Sequence, residues 1–498
     1  MPRFLRRLPS SYSFLLVILT TVLLLGGCQI TAPLRSPEAT APPLVFRGGP
    51  AADSTARVDS ISVADIQWAD FFADSVLVEL VDTALRENLD LRTTLQRIEV
   101  ARANLRFARG ALLPSVDAVA SAGIDRYGDY TQNGIGNYDT NFSDNISGNQ
   151  RIPYPVTPDY FLGLRSSWEI DLWGKLRSRR RAAYTRFLAS EQGVRAIVTE
   201  LVAQVATRYY ELLALDNERG VLLRNIKLQE QALEIIKIQK LGGRATELAV
   251  QQFRAQLLRT QGLEAEVQQR IVETENQLNF LLGRYPGPIR RGIPLRNQHV
   301  PEAVSAGLPV QMLQRRPDIR AAELALQATR ADVDAARAAF FPSFTLTPYV
   351  GFNSFRAAQL LTPSSIAFGL LGGLSAPILN RNALRATYGR ATAESIIAYY
   401  NYQRTIQRSF QEVSTSLRGI ANYNRVFLLK QQEVEALSNA VSISNDLFLA
   451  NYATYLEVIT AQRNVLEAEL ALTNTRRTQF LLLIDLYRSL GGGWQSAK

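Results

Sequence analysis

The sequence holds very little of the chemistry from which active sites and metal sites are built. Its 498 residues include one histidine, His299, one cysteine, Cys28, and two methionines. A single cysteine excludes an intramolecular disulfide. With so few histidine and cysteine side chains, a Cys–His dyad, a Ser–His–Asp triad or a His/Cys metal site is not credible, and no Walker A pattern occurs. The sequence therefore predicts a protein that is not an enzyme and carries no metal or cofactor.

Proline is absent from two long stretches, residues 159–285 and 378–498. In the first stretch, apolar residues fill ten of the 13 positions of a seven-residue seam that runs from Val194 to Ile236. Such a seam predicts coiled-coil packing of a helix that is about 100 Å long. The second half of the chain repeats the arrangement. The four predicted long helices cover residues 175–241, 245–282, 384–449 and 455–490.

Four short segments alternate apolar and polar residues, which is typical of transmembrane β-strands. They lie at residues 116–124, 160–172, 344–352 and 368–378. Phe161 is an exception, because it is an apolar residue on the polar face of its segment. A soluble sandwich would give the same alternation. If the segments do cross a membrane, several chains must pool them, because four strands cannot close a barrel and lipid does not tolerate open strand edges.

The chain contains an internal duplication. Residues 85–115 and 313–343 are identical at ten of 31 positions at a shift of 228, and residues 243–250 resemble 451–458 at a shift of 208. Each half has the order helix, β-hairpin and long helical hairpin. We expect a first repeat over 71–285, a connector over 286–308 and a second repeat over 309–498. The extra residues of the first half, roughly 125–158, are rich in Gly, Asn, Asp and Tyr and predict an exposed loop.

The N-terminus has the pattern of a lipoprotein signal peptide. Three arginines precede an apolar run over 14–25, which is short for a transmembrane helix. Two glycines then stand before Cys28, as in the bacterial lipobox. The prediction is a signal peptide over 1–27, an acylated, palmitate-bearing Cys28, and an anchor with an extended tether over 28–70. The alternative is a plain signal peptide with an incidental cysteine.

Basic residues exceed acidic residues by ten. Such a surplus fits a nucleic-acid partner, but it fits a surface that faces anionic lipid equally well. Because the basic residues are spread along the helices rather than gathered on one element, we predict no nucleic-acid binding.

Several longer motifs resemble the TolC-like outer membrane efflux proteins, specifically their NodT-type lipoprotein branch. Short signatures occur near the start of the mature chain, before the first long helix and at the C-terminus. The most specific motif surrounds an Arg-Arg-Pro-Asp-Ile-Arg run. The motif residues are Trp68, Phe72 and Asp74; Trp168 to Gly174; Leu308, Pro309, Leu313, Arg315 to Arg320, Ala322 and Glu323; Phe341 to Ser343; and Leu490 to Trp494.

The resemblance implies a homotrimer in the bacterial outer membrane. Three chains would form a 12-stranded transmembrane β-barrel and a periplasmic α-barrel tunnel of coiled-coil hairpins. The fold class is thus mainly α with a membrane β part. Such channels are passive exit ducts for drugs or other small molecules, and they dock on a periplasmic adaptor and an inner-membrane pump such as a proton-driven RND transporter. The alternatives are the duct of a type I protein secretion system and, less favoured, a structural coiled-coil lipoprotein.

The resemblance also assigns roles to the tips of the helical hairpins, which close the periplasmic mouth and contact the adaptor. The predicted docking residues are Gly243, Arg244, Ala245, Thr246, Asn451, Tyr452, Ala453 and Thr454. The predicted gate residues are Leu456, Glu457, Thr460 and Arg463. Relatives usually carry aspartates where this chain has Glu457 and Thr460. A Glu457 ring would select for cations, whereas the alternative is that Glu457 is an ordinary solvated helix charge.

The Arg-Arg-Pro-Asp-Ile-Arg run has a structural explanation. Pro317 and Asp318 suit the first turn of a helix, where a fixed φ and a negative charge are favourable. We expect Arg315, Arg316 and Arg320 to bind neighbouring carboxylates. The run is therefore predicted to serve the architecture rather than to contact substrate.

Overall fold

The computed structural model describes residues 62–299, 306–377, 381–450 and 452–494, together with positions 43 and 46. The predicted signal peptide, Cys28, most of the predicted tether and Asn451 lie outside these residues. The described helices are α1 (Trp68–Phe71), α2 (Ser75–Glu87), α3 (Leu89–Gly110), α4 (Gln132–Thr140), α5 (Lys175–Leu241), α6 (Glu247–Leu281), α7 (Pro309–Arg315), α8 (Pro317–Ala338), α9 (Arg381–Leu449) and α10 (Tyr455–Ser489). The described strands are β1 (Ser115–Asp125), β2 (Thr157–Ile170), β3 (Ser343–Ser354) and β4 (Ile366–Ser375).

The four predicted long helices and the four predicted strands are all confirmed, with ends that differ by a few residues. Helices α3 and α8 both have 22 residues and begin 228 positions apart, at Leu89 and Pro317. Helices α6 and α10 both have 35 residues and begin 208 positions apart, at Glu247 and Tyr455. The two shifts are those of the sequence duplication, so equivalent residues begin equivalent helices.

By its contacts the chain divides into two compact units. The sheet unit contains Arg102–Thr185 and Leu326–Ala398. Its strands form one antiparallel sheet in the order β1-β2-β3-β4. The register places Ala118, Leu164, Val350 and Phe368 in one row across the sheet. Because side chains alternate along each strand, one face of the sheet is mostly apolar and the other carries the charged side chains, with Val119, Phe161 and Leu371 as apolar exceptions on it.

The loop between β1 and β2 is more ordered than its composition suggests. Helix α4 interrupts it, and the Thr131 hydroxyl caps that helix by accepting a hydrogen bond from the Gly134 amide at 3.0 Å. Arg356, from the loop between β3 and β4, donates to the carbonyls of Gly148 and Arg151 at 3.2 and 3.0 Å. The loop is exposed as expected, and the helix within it was not predicted. Capping by a single threonine stabilises a short helix among residues of low helix propensity.

The hairpin unit contains Ala39–Ala101, Arg186–Ala325 and Tyr399–Lys498. Its main core is formed by α2, α5, α6 and α10 around the predicted seam of α5. Two of the three polar positions of the seam are ion-paired, Arg208 with Glu211 and Arg219 with Glu264, each at 2.7 Å. Pairing with a carboxylate lets a polar side chain occupy a packed helix surface. The seam therefore tolerates these interruptions.

The motif residues near the start of the chain hold the connector between the two halves. Asp74 is 1% exposed and caps α2 by accepting from the Val76 amide at 3.0 Å. Its carboxylate also accepts from the Tyr209 hydroxyl, the Ile293 amide and the Gln298 side chain, at 2.8, 3.0 and 3.1 Å. A buried carboxylate with four donors is fully compensated for its lost hydration. Asp74 thus fastens the connector to the main core.

Within the described ranges, none of the helices combines the length and the apolar character that crossing a lipid bilayer requires.

Candidate functional site

The first hairpin tip is a turn with tightly satisfied backbone groups. Gly243 has a φ of 72°, and its amide donates to the Lys240 carbonyl at 2.9 Å while the Arg244 amide donates to the Gln239 carbonyl at 2.8 Å. A glycine with positive φ after the last helical residues is the usual way to end a helix. The Thr246 hydroxyl then begins α6 by accepting from the Ala249 amide at 3.3 Å.

Charge also bridges this tip. Lys240 forms an ion pair with Glu247 across the turn. The hydrogen bond from Lys240, a second one from Gln251 and the positive charge of Lys240 lower the pKa of the Glu247 carboxyl below its ordinary value. At the first tip, the negative charge of the Glu247 carboxylate is therefore already balanced by Lys240 of the same hairpin.

The second hairpin tip uses a different cap. The Tyr452 and Ala453 amides both donate to the Leu447 carbonyl, at 2.8 and 3.2 Å. The Glu457 carboxylate accepts from the Thr454 amide at 2.5 Å and from the Thr454 hydroxyl at 3.1 Å. A glutamate at the third helical position that reaches back to the N-cap residue is one half of a capping box. Glu457 therefore stabilises the start of α10.

The sequence contained this signal. Thr454 and Glu457 have the Ser/Thr-x-x-Glu spacing that marks a helix start. The sequence interpretation considered Glu457 only as a ring residue or as a solvated charge. The structure adds a third role, in which one carboxylate oxygen is committed to the helix cap.

The predicted gate residues lie together on the first turns of α10, but their contacts are unequal. Leu456 is 56% exposed, as is expected of an apolar side chain that a partner would cover. The Thr460 hydroxyl donates to the Leu456 carbonyl of its own helix at 2.7 Å. Arg463 is exposed and forms no ion pair with any carboxylate of the described residues.

The two tips pack against each other through a small apolar cluster. Val458 of the second hairpin is 2% exposed and belongs to one cluster with residues of the first hairpin. The other buried members are Leu233, Ile236, Ala249, Val250, Phe253 and Leu257. Leu248 and Leu456, which occupy equivalent positions in the two halves, remain 61% and 56% exposed. The predicted docking and gate residues thus lie beside a common apolar cluster, and Leu248 and Leu456 are exposed at equivalent positions next to it.

The Arg-Arg-Pro-Asp-Ile-Arg run pairs as predicted. Arg315 binds Asp65 at 2.6 Å and Arg320 binds Glu323 at 2.5 Å. Arg316 is 7% exposed and binds three acceptors: Asp318 at 2.7 Å, Glu412 at 2.9 Å and the Ser489 carbonyl at 2.8 Å.

Electrostatics favour the charged form of this cluster. Burial would lower the pKa of Arg316, but the hydrogen bonds and charges of Asp318 and Glu412 raise it overall. Burial would raise the pKa of Asp318, yet the hydrogen bonds and charge of Arg316 lower it overall. Both groups stay ionised, and the prediction that the run serves the architecture agrees with this geometry.

Among the described residues, no three histidine, cysteine, aspartate or glutamate side chains are grouped so that they could hold a metal ion.

The combination of paired long helical hairpins with a four-stranded sheet of alternating apolar and polar rows is that of an outer-membrane channel protein. The family model described as outer membrane efflux protein matches residues 80–284 and 308–492, and the chain therefore belongs to this family. The predictions of the family, of the fold class and of an outer-membrane location are confirmed.

Individual relatives extend over almost the whole chain. The probable efflux pump outer membrane protein TtgC of Pseudomonas putida is 31% identical over 481 residues, which cover 96% of both chains. The probable outer membrane lipoprotein SilC of Salmonella typhimurium is 28% identical and covers 96% of this chain and 98% of its own. The crystal structure of the open state of the Neisseria gonorrhoeae MtrE outer membrane channel is 26% identical, with a TM-score of 0.78 and coverage of 94% and 99%.

Proposed function

We propose that this chain is the outer-membrane component of a tripartite efflux system and acts as a passive exit duct for drugs or other small molecules. The observation that carries the proposal is the family match, which covers both halves of the chain and includes the strands and the long hairpins. TtgC and its relatives are named as efflux pump proteins. A purely structural coiled-coil lipoprotein would not need a sheet with membrane-type alternation, and no contact favours protein secretion over efflux.

The test is deletion of the gene in its host. Loss of the duct should increase susceptibility to several unrelated small molecules, and the wild-type gene on a plasmid should restore resistance. Unchanged susceptibility together with the loss of one secreted protein from the medium would instead support a type I secretion role.

We propose that the chain forms a homotrimer, in which neighbouring copies close the open edges of the sheet. Strands β1 and β4 are its edges in the described residues, and they run antiparallel to each other, so β4 of one copy is oriented to pair with β1 of the next. Three copies would supply twelve strands and remove every edge. Native mass spectrometry in detergent should give the mass of three chains, and a monomer that conducts ions would contradict the proposal.

The hairpin tips would dock the periplasmic adaptor, and three copies of Glu457 would line the closed mouth. A Glu457→Ala variant should reduce block by divalent cations and raise single-channel conductance, because it removes three carboxylates and loosens the first turn of α10. Glu247→Ala is the matched control at the first tip, where the carboxylate is already paired with Lys240. Unchanged conductance and unchanged block in Glu457→Ala would remove Glu457 from the gate.

The lipid anchor at Cys28 is part of the same proposal, and the naming of SilC as a lipoprotein supports it. Mass spectrometry of the mature N-terminal peptide should find acyl groups on Cys28. A Cys28→Ser variant should lack them, and an unmodified thiol on the mature wild-type chain would contradict lipidation.

A further inference from the structure

The four strands carry one basic residue among several acidic ones. Arg165 is the single Lys or Arg within Ser115–Asp125, Thr157–Ile170, Ser343–Ser354 and Ile366–Ser375. The acidic residues of these strands are Asp117, Asp125, Asp159 and Glu169. The register places Arg165 and all four carboxylates on the polar face of the sheet.

This arginine packs on the ring of Phe161, the apolar residue that is the exception in the sequence pattern. The Phe161 side chain is on the polar face, yet it is only 4% exposed. The Arg165 guanidinium lies 4.5 Å from the centre of its ring, which is a cation–π contact. Tyr349 packs edge-on against the same ring, with 6.2 Å between the ring centres. The two aromatic residues thus hold the charge at a defined place.

Two glycines make room for the ring. Gly163 and Gly351 are paired across β2 and β3. A Cβ on Gly163 would lie 2.9 Å from the Phe161 ring and 2.4 Å from the Val350 carbonyl oxygen, and a Cβ on Gly351 would lie 3.0 Å from the ring. The shortest contacts of either Cβ are with the backbone of the paired strand, so a side chain at either position would shift the Phe161 ring, the strand backbone or both. Both glycines therefore serve the placement of Phe161 and, through it, of Arg165.

The charge of Arg165 remains available to solutes. The side chain is exposed, and among the described residues no carboxylate lies within ion-pair distance of it. Asp117 is its direct neighbour in the register on β1, and Tyr349 is its neighbour on β3. A guanidinium that rests on an aromatic face keeps its outer N–H groups free to bind an anion.

We propose that Arg165 is a charge-selectivity residue of the duct, which attracts small organic anions such as carboxylates and sulfonates as they pass the sheet. The inference rests on the proposed function, in which three copies close a barrel with the polar faces inward. Three guanidinium groups at one level then oppose the cation preference of the surrounding carboxylates.

Reversal potentials of the purified trimer in a planar bilayer under a KCl gradient test the inference. Arg165→Gln should raise the ratio of cation to anion permeability about threefold, the order expected for a unit charge within roughly 7 Å of a permeating ion in water. Arg165→Lys should keep the wild-type ratio. Asp117→Asn should shift the ratio in the opposite direction, towards anions.

A charge that is attached to residue 165 after the channel has assembled tests ion selectivity without an effect on folding. In an Arg165→Cys variant, a positively charged methanethiosulfonate reagent should return the ratio to its wild-type value, and a negatively charged reagent should raise it further. The wild type treated with the same reagents is the control for Cys28. Equal ratios in all states of this variant, or shifts of the same sign with both reagents, would overturn the role of Arg165. Failure of the wild type to form trimers or channels would refute the proposed function instead.

Discussion

Helices α5 and α9 are equivalent in the two halves and nearly equal in length, with 67 and 69 residues, but their burial differs greatly. Helix α5 is buried on a continuous stripe, in which Val205, Tyr209 and Leu212 are fully buried and Leu222 and Ile236 are 1% exposed. Between residues 409 and 449, helix α9 buries only Ser409, Val413, Ser416 and Ile420. On the C-terminal side of Ile420, the side chains of α9 are half-buried or exposed.

The difference shows that α5 has a buried stripe along most of its length, whereas α9 has none beyond Ile420. Leu428, Leu429 and Ile443 of α9 are 60%, 55% and 58% exposed. Several exposed leucine and isoleucine residues on one helix mark a surface that a partner covers. In the proposed trimer, that partner is the neighbouring copy, and the apolar contacts of α9 within its own chain are concentrated around Val413 and Ile420.

Arg316 links α9 to α10, because it binds Glu412 of one and the Ser489 carbonyl of the other. We expect Arg316→Ala to lower the free energy of unfolding by about 1–3 kcal/mol, since it removes the ion-pair partner of Asp318 and leaves the buried Ser489 carbonyl without its donor, while Glu412 keeps Arg408. Urea unfolding of the detergent-solubilised protein, followed by circular dichroism, measures this loss. Arg320→Ala is the control, with an exposed pair worth less than about 1 kcal/mol. Equal losses in the two variants would show that burial of Arg316 does not matter.

The contrast between α5 and α9 has a direct test. Leu222→Ala removes a fully enclosed side chain from the main core and should cost about 2–5 kcal/mol in the stability of the chain itself. Leu428→Ala should leave the unfolding of the chain almost unchanged but lower the temperature at which the trimer dissociates. Circular dichroism reports the first quantity and heat-dependent gel mobility the second. If Leu428→Ala destabilised the chain as much as Leu222→Ala, the open face of α9 would not be an interface.

Acid should lower the stability of the folded chain by protonating Asp318, the ion-pair partner of Arg316. Its pKa in the folded chain is lowered, so its contribution to stability is complete above its unfolded pKa of about 3.9 and disappears as the pH falls through the lower folded value. The wild type should be more stable than Asp318→Asn between pH 5 and 8, and the difference should shrink below about pH 4. Thermal unfolding across this range measures it. A difference that persists or grows in acid would contradict the ion pair.

The smallest effects are expected at the tips, where the two hairpins are capped differently. Thr246→Ala should destabilise the start of α6, and Glu457→Gln the start of α10, each by about 1 kcal/mol or less. Hydrogen exchange of the first-turn amides should accelerate in the helix that carries the change and not in the other. Acceleration in both helices would mean that the tips open as one unit through the shared cluster around Val458.

Most of the helix and strand positions were predictable, because the signals for them are local. The absence of proline and the spacing of apolar residues depend on neighbours along the chain, and they located α5, α6, α9 and α10 as well as the strands. The capping box of Glu457 was equally local and could have been found from Thr454. Helix α4 was missed because its stability comes from one threonine cap rather than from the propensity of its residues.

The sequence by itself thus determined the long helices, the strands, the duplication and the two faces of the sheet. Only the tertiary structure explains how the polar face accommodates Phe161, because its ring packs beside glycines of two strands that are distant in sequence. The same holds for Arg316, whose partner Glu412 lies 96 positions away, and for the unequal burial of α5 and α9. Spacing along a chain records which side a residue faces, whereas the partner on that side is set by how distant segments meet in space.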